Sequence, residues 1–186
     1  MNDLGIGDRL RELRAARGLS LSELARRADI GKATLSEIES GRRNPNIETL
    51  YALCAPLDVP LTGMLGETPG THGTAAGGMV TVLLSTRHLP AETVEVFRLE
   101  FPAGAHHVSP AHGAGVREQL AVVAGTLTVG TADAPTIVHR GDCHAWTSDT
   151  DHVFSAPDGP AEAIVVISTP HAHENRTKQD TPPSHA

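Results

Sequence analysis

Two sets of residues in this chain have types and spacings that suit chemistry, and they lie in different halves. Lys32, Ala33, Ser36, Glu37 and Ser40 fall on one side of a helix predicted over 32–40, at about 100° per residue, while Leu35 and Ile38 point the other way. That face is small, polar and flat. It suits the DNA major groove, where short side chains and a few long polar ones meet base edges. Arg42, Arg43 and Asn44 follow the stop at Gly41 and are placed for phosphates beside the groove. The second set is imidazole. The chain has 11 histidines and none precedes His72, and histidines gathered with a carboxylate on facing strands ligate divalent transition metals.

The helical half must position the first set. A helix is predicted to open at Ser20, whose pairing with Glu23 makes a capping box in which each satisfies an orphan backbone donor of the other. Leu24, Ala25 and Ala28 form its apolar side. Asp29, Ile30 and Gly31 break the run, with Gly31 read as the residue free to take an unusual backbone in the turn. Upstream, Ile6, Leu10 and Leu13 recur at helical spacing to Gly18; downstream, Ile47, Leu50, Leu53 and Leu57 begin a fourth helix. Four or five helices fit in residues 1–66. On this pattern alone the central pair is either a DNA-reading unit or a helical hairpin with a solvated outer face.

Residues 4–66 resemble, without a gap, the XRE family of phage-repressor-like helix-turn-helix domains. The resemblance rests most on Arg-Gly-Leu-Ser at 17–20, Glu-Leu-Ala at 23–25 and Ile-Glu-Ser-Gly-Arg-Arg-Asn-Pro at 38–45. It implies a lambda-repressor-like all-α bundle with Lys32, Ala33 and Glu37 on base-contacting positions. It also implies that Arg14 and Glu39 pair to tie the first helix to the third. The family often places a phosphate-binding Gln at the start of its second helix; Leu21 stands there in this chain, which shifts phosphate binding toward Arg42, Arg43 and Asn44.

Residues 1–66 carry nine Lys plus Arg against nine Asp plus Glu, so the whole formal charge of −7 lies in the rest of the chain. That balance excludes nucleic-acid binding by the second half on electrostatic grounds. Helical periodicity ends near residue 66. Residues 67–78, in the run GETPGTHGTAAGG, read as a flexible linker. From 79 to 169 the apolar pattern changes to short runs rich in β-branched residues between Gly, Pro and Asp. Eight strands are predicted: Met79–Leu84, Val94–Phe101, Gln119–Val123, Thr126–Val129, Thr136–Val138, Cys143–Trp146, Val153–Ser155 and Ala163–Ile167. Such spacing makes an antiparallel sandwich or a small barrel. Residues 170–186 read as a disordered, solvated tail holding His171, His173 and His185.

His88, His106, His107, His112, His139, His144 and His152 remain within the strand region. Gly104, Pro110, His112, Glu118 and Gly125 look like the first motif of the cupin family: Gly, five residues, His-x-His, three or four residues, Glu, six residues, Gly. His139-Arg-Gly141-Asp142 looks like the second motif, whose histidine then falls on His152. The resemblance covers residues 94–168 and implies an all-β cupin barrel, also called a double-stranded β-helix or jelly roll. It implies His112, Glu118 and His152 as ligands for a divalent transition metal (Fe, Mn, Ni or Zn), or as polar groups that orient an organic ligand in the barrel mouth. Two departures stand out. Pro110 replaces the first motif histidine, and the interval from His112 to Glu118 is one residue too long. His106 or His107 is the candidate fourth ligand. Plainer roles also fit: His112 in a Gly- and Ala-rich loop, Glu118 in a rim ion pair with Arg117, and His152 hydrogen-bonded in the barrel mouth.

Cys54 and Cys143 fall in different domains, are not expected to pair, and suit a reducing cytoplasm. A charged, helical N-terminus predicts no signal peptide, and no apolar run approaches the roughly 18 residues that a membrane span needs. Joined, the two halves resemble XRE-cupin transcriptional regulators. The expected function is sequence-specific binding of a DNA operator by a cytoplasmic homodimer, with half-sites roughly 34 Å apart, modulated by a small-molecule effector or a metal. The alternative is a metal-dependent cupin enzyme of the dioxygenase or isomerase type carrying a DNA-binding head. Against it stand the missing motif histidine and the lack of another acid-base constellation, so no catalytic residue is assigned. An antitoxin with a helix-turn-helix head is a third class; those usually carry a short toxin-wrapping segment where this chain has a barrel.

Overall fold

A computed structural model describes residues 5–171. Five helices make the head: α1 (Ile6–Ala16), α2 (Leu21–Arg27), α3 (Lys32–Glu39), α4 (Ile47–Leu57) and α5 (Leu61–Leu65). Leu10, Leu24, Leu35, Ile38, Leu53 and Leu57, drawn from the first four helices, are buried together at its centre. Each such burial is worth about 1.5–3 kcal/mol, which is why the helical periodicity of the sequence is obeyed so closely here.

Local chemistry sets the helix ends, with two differences from expectation. Ser20 Oγ accepts from the Glu23 backbone N–H at 3.1 Å, but the reciprocal half of the capping box is not made. The Glu23 carboxylate turns instead to Arg26 and Arg27, at 2.8 and 2.7 Å, because two guanidinium donors outcompete one backbone N–H. In the turn before α3 the left-handed residue is Asp29, with φ 51°, whereas Gly31 is an extended N-cap with φ −63°. Asp accepts that backbone because its short polar side chain can bond locally.

Ten strands follow: β1 (His72–Thr74), β2 (Val80–His88), β3 (Glu92–Phe101), β4 (Ala105–Ser109), β5 (Arg117–Ala124), β6 (Thr126–Thr131), β7 (Thr136–His139), β8 (Cys143–Thr147), β9 (His152–Ala156) and β10 (Ala161–Pro170). They form a six-stranded sheet ordered β1-β2-β3-β10-β5-β8 and a four-stranded sheet ordered β4-β9-β6-β7. Leu99, Leu120 and Val165 of the first share one core with Leu127, Val129 and Phe154 of the second. The result is an antiparallel jelly roll of two facing sheets.

Two strands lie outside the predicted eight. Within the residues read as a flexible linker, 72–74 form β1, paired with Val80–Val82. β4 is alternating, with Ala105, His107 and Ser109 turned in and His106 and Val108 out; its polar inward residues hide the alternation from an apolar pattern search. Pro170 and His171, read as part of the tail, belong to the fold. β10 runs to Pro170, and His171 donates its backbone N–H to Ala91 O while its Nε2 lies 3.0 Å from Thr93 Oγ1. His173, His185 and the remainder of the predicted tail lie outside the described residues. Among the described residues, no helix is long and apolar enough to cross a membrane.

Candidate functional site

On the head, α3 presents the predicted face. Lys32 and Ala33 are exposed, Ser36 and Glu37 half-buried, and Leu35 and Ile38 fill the core beneath. Ser40 Oγ folds back onto Glu37 O at 3.1 Å. Gly41 takes φ 71° and closes the helix with bonds from its own N–H to Ile38 O and from Arg42 N to Glu37 O, a reversal that a side chain at this position would resist. The reversal leaves Arg42, Arg43 and Asn44 exposed at the end of the face. Arg43 Nη1 lies 3.7 Å from Glu37 Oε2, so a base-reading candidate and a phosphate-binding candidate are paired with each other in the DNA-free protein.

Arg14 and Glu39 form the two-pronged pair that the sequence implied: Nε to Oε1 at 2.6 Å and Nη2 to Oε2 at 2.8 Å, with Glu39 only 5% exposed. Hydrogen bonding to Glu39 raises the Arg14 guanidinium above its ordinary pKa against the cost of burial. Arg11 adds a bond to the Glu39 carbonyl that the sequence reading missed. Thus α3 is fixed to α1 from beneath while its outer face stays free.

The barrel brings His112, Glu118 and His152 together, with ligand atoms all within 4.8 Å of one another. Glu118 is on β5, His152 opens β9, and His112 is in the loop before β5, where its backbone N–H donates to Ser148 O at 2.7 Å. Glu118 Oε1 is the hub. His112 Nδ1 and His152 Nε2 each lie 3.1 Å from it, and Ser148 Oγ donates to it at 2.7 Å. Burial pushes the Glu118 carboxyl up, but the two imidazoles outweigh that and hold it at about 2. Burial lowers the basicity of His152, and Glu118 more than reverses this, leaving it above its ordinary value. Arg117, the neighbour that could have paired with Glu118 on the rim, instead reaches Glu92 at 3.4 Å on the surface.

The donors fit a divalent transition metal. His152 is fully buried and its Nε2 lacks a hydrogen-bond partner despite its closeness to Glu118. Its other nitrogen, Nδ1, lies 3.2 Å from the Thr150 carbonyl. That bond makes Nδ1 the donor to the carbonyl and turns Nε2 inward onto Glu118, the orientation of metal-binding histidines, whose Nε2 takes an ion in place of a proton. Neither proposed fourth ligand joins the group: His106 is exposed on the outer side of β4, and His107 faces in yet stacks on Phe154 with ring centroids 6.3 Å apart.

Three contacts had no signal in the sequence. Tyr51 of α4 stacks on His112, with centroids 4.6 Å apart and planes 17° from parallel; Ser109 Oγ lies 3.0 Å from His112 Nε2; and Thr62 of α5 donates to buried Glu95 of β3. Burial, then the charge of Glu118, raises the Tyr51 phenol above its ordinary pKa. These residues border a cavity of about 430 Å³ between α4, α5 and the barrel mouth, lined also by His112 and Glu118. Cys54 lines it too, buried and pushed up to about 12, while Cys143 is exposed on β8, and both are free thiols.

Residues 10–64 match the helix-turn-helix family HTH_3. The HTH-type transcriptional regulator SutR of Escherichia coli is 28% identical over 149 residues, covering 78% of this chain and 83% of that protein. The HTH-type transcriptional regulator DdrOP3 of Deinococcus deserti is 43% identical over 58 residues; these cover 31% of this chain and 45% of that regulator. Among solved structures, an HTH_3 family transcriptional regulator from Vibrio cholerae superimposes with a TM-score of 0.71 at 23% identity, covering 90% of this chain and 96% of the other.

Proposed function

We propose that this protein, a transcriptional regulator with an XRE-type helix-turn-helix head and a C-terminal cupin barrel, binds a DNA operator in the cytoplasm as a homodimer and changes its affinity when the barrel takes up a metal or a small molecule. Lys32, Ala33, Ser36 and Glu37 enter the major groove, and Arg42, Arg43 and Asn44 hold phosphates. A head with no net charge gains little from nonspecific attraction, so two heads on half-sites roughly 34 Å apart supply the affinity.

The observation that carries the sensing part is the Tyr51–His112 stack. A ligand shifts an equilibrium only by binding one arrangement better than the other. Here His112 belongs at once to the barrel's ligand set and to the packing of α4, so a change in its position is felt by the head. His112 Nδ1, His152 Nε2 and Glu118 would hold a divalent ion, which would supply positive charge against the buried carboxylate. A coupling of about 1–3 kcal/mol would alter operator affinity 5- to 150-fold. A regulator is favoured over an enzyme by the DNA-binding head and by relatives that are themselves named regulators.

The test is selection of bound duplexes from a random pool, followed by titration of the winning sequence with protein as purified, with a chelator, and with added manganese or iron. A two-half-site consensus whose affinity depends on the metal is expected. A pool that shows no enrichment would remove the regulator reading. Enrichment with an affinity indifferent to metal would leave organic effectors as the signal.

A further inference from the structure

The cavity between head and barrel holds a carboxylate that no cation among the described residues faces. Glu67, Glu95 and Glu118 line it, and among its described lining residues there is no lysine or arginine. Glu118 is occupied by His112, His152 and Ser148. Glu95 is not: it is 3% exposed, and among the described residues the sole hydrogen-bond partner of its carboxylate is Thr62. A carboxylate offers about four acceptor sites, so most of its capacity faces inward unused. Beside it the wall is hydrocarbon, from Met79, Phe97, Val165 and Ile167 on the barrel and from Ile47 and Val59 on the head.

Strand register gives the cavity a direction. Glu95 on β3, Ile167 on β10 and Glu118 on β5 are in register across three adjacent strands. With strands spaced about 4.8 Å apart, the backbones of Glu95 and Glu118 stand about 10 Å from each other with Ile167 between them. An anion would meet the unneutralised Glu95 at one end and a Glu118 already held by two imidazoles at the other. A neutral alcohol would leave Glu95 short of donors. A metal ion would find too few ligands at Glu95, which is not part of the His112 cluster.

We propose that this cavity binds a primary amine on an apolar body, the ammonium held by Glu95 and the hydrocarbon lying along Phe97, Val165 and Ile167 toward His112. This inference rests on the reading of the protein as a small-molecule sensor and names the chemical class of its effector. The volume of about 430 Å³ lies in the range of small-molecule sites. Burial, then Glu67 against the opposing bond from Thr62, holds the Glu95 carboxyl at about 6, so near neutral pH it is ionised and an ammonium ion completes it. Because α4 and α5 form one wall, the amine touches head and barrel together.

The experiment is calorimetric titration of the full chain at pH 7.5 with n-hexylamine, 1-hexanol and hexanoate, repeated on Glu95→Gln. The amine is expected to bind at least 10-fold more tightly than the other two, and Glu95→Gln to remove that preference while leaving the alcohol's affinity unchanged. If Glu95→Gln does not fold, Phe97→Trp, which fills the floor of the cavity, must abolish amine binding. Hexanoate or hexanol binding as tightly as the amine, no amine binding, or an amine affinity indifferent to both variants overturns the proposal. The sensor reading fails separately: Glu95-dependent amine binding that leaves operator affinity unchanged keeps the site and removes the sensing role. Hexanoate that shifts operator affinity does the reverse.

Discussion

The Tyr51 ring of the helical head lies nearly parallel on the His112 imidazole of the barrel, 4.6 Å between centroids. His112 in turn meets Glu118 through Nδ1 at 3.1 Å. One aromatic contact therefore joins a helix of the DNA-binding unit to the buried cluster of His112, Glu118 and His152. Aromatic pairs add about 0.5–1.5 kcal/mol beyond their buried area.

A double-mutant cycle of Tyr51→Ala and His112→Ala, read by urea unfolding of the full chain, is expected to give a coupling of about 0.5–1.5 kcal/mol. Additive single effects would show that the stack carries no energy and would remove it as a route between barrel and head.

The Arg14–Glu39 pair predicts a large stability effect in the head. Arg14→Ala leaves the Glu39 carboxylate buried and short of donors, a loss of about 3–5 kcal/mol. The Tm of the head should fall sharply, while Arg26→Ala, which breaks an exposed pair, should change it little. Equal shifts for the two variants would contradict the burial argument.

How much of this was legible depended on how local the signal is. The α3 face could be read because helical period and the Gly41 stop are contained in ten or so neighbouring residues. His112, Glu118 and His152 could be singled out because motif spacing survives one substitution and one inserted residue, and the barrel tolerates that insertion by placing His112 in a loop. β4 was hidden because His107 and Ser109 occupy its inward positions, where an apolar search expects hydrocarbon. The left-handed turn lies at Asp29 where the sequence points to Gly31, because glycine is the usual left-handed residue and Asp only an occasional one. Tyr51, Thr62 and Glu95 could not be found from sequence at all. Each makes its contact across the boundary between domains, and no periodicity within either domain encodes that.

The Arg43–Glu37 pair gives a prediction about DNA. Arg43→Ala should weaken binding to all sequences and reduce the slope of log affinity against log salt by about one unit, through loss of one phosphate contact. Glu37→Ala should instead relax the preference at one base pair by about 1–3 kcal/mol. It also frees Arg43 from its 3.7 Å partner, so nonspecific affinity should rise slightly. A uniform loss across sequences for Glu37→Ala would show that it does not read a base.

The barrel site predicts metal dependence on His152. Elemental mass spectrometry of untagged protein should find near-stoichiometric iron, manganese, nickel or zinc, and His152→Ala should lose it, since Nε2 is a buried donor aimed into the cluster. Equal metal in both proteins would place the ion elsewhere. Its absence from both would leave the three groups as an organic ligand's hydrogen-bonding set.

Glu95 predicts how stability depends on pH. Burial is the main cause that lifts its carboxyl from 4.5 to about 6, Thr62 opposes it, and Glu67 adds to it. The other ionisable groups near it are Cys54 and Tyr51 of α4, both of which feel its charge, and Glu118 two strands away. Between pH 4.5 and about 6 the native chain holds a proton at Glu95 that the unfolded chain has released. The native state binds more protons there, so unfolding free energy falls as pH rises through this window and levels off above it. The expected loss is about 2 kcal/mol. Urea unfolding at pH 4.5, 5.5, 6.5 and 7.5 should show this decline in the wild-type chain, and Glu95→Gln, which stays neutral throughout, should remove that component of it. A variant whose profile parallels the wild type would mean that Glu95 keeps its charge on folding, and with it a partner for that charge at the seam between head and barrel.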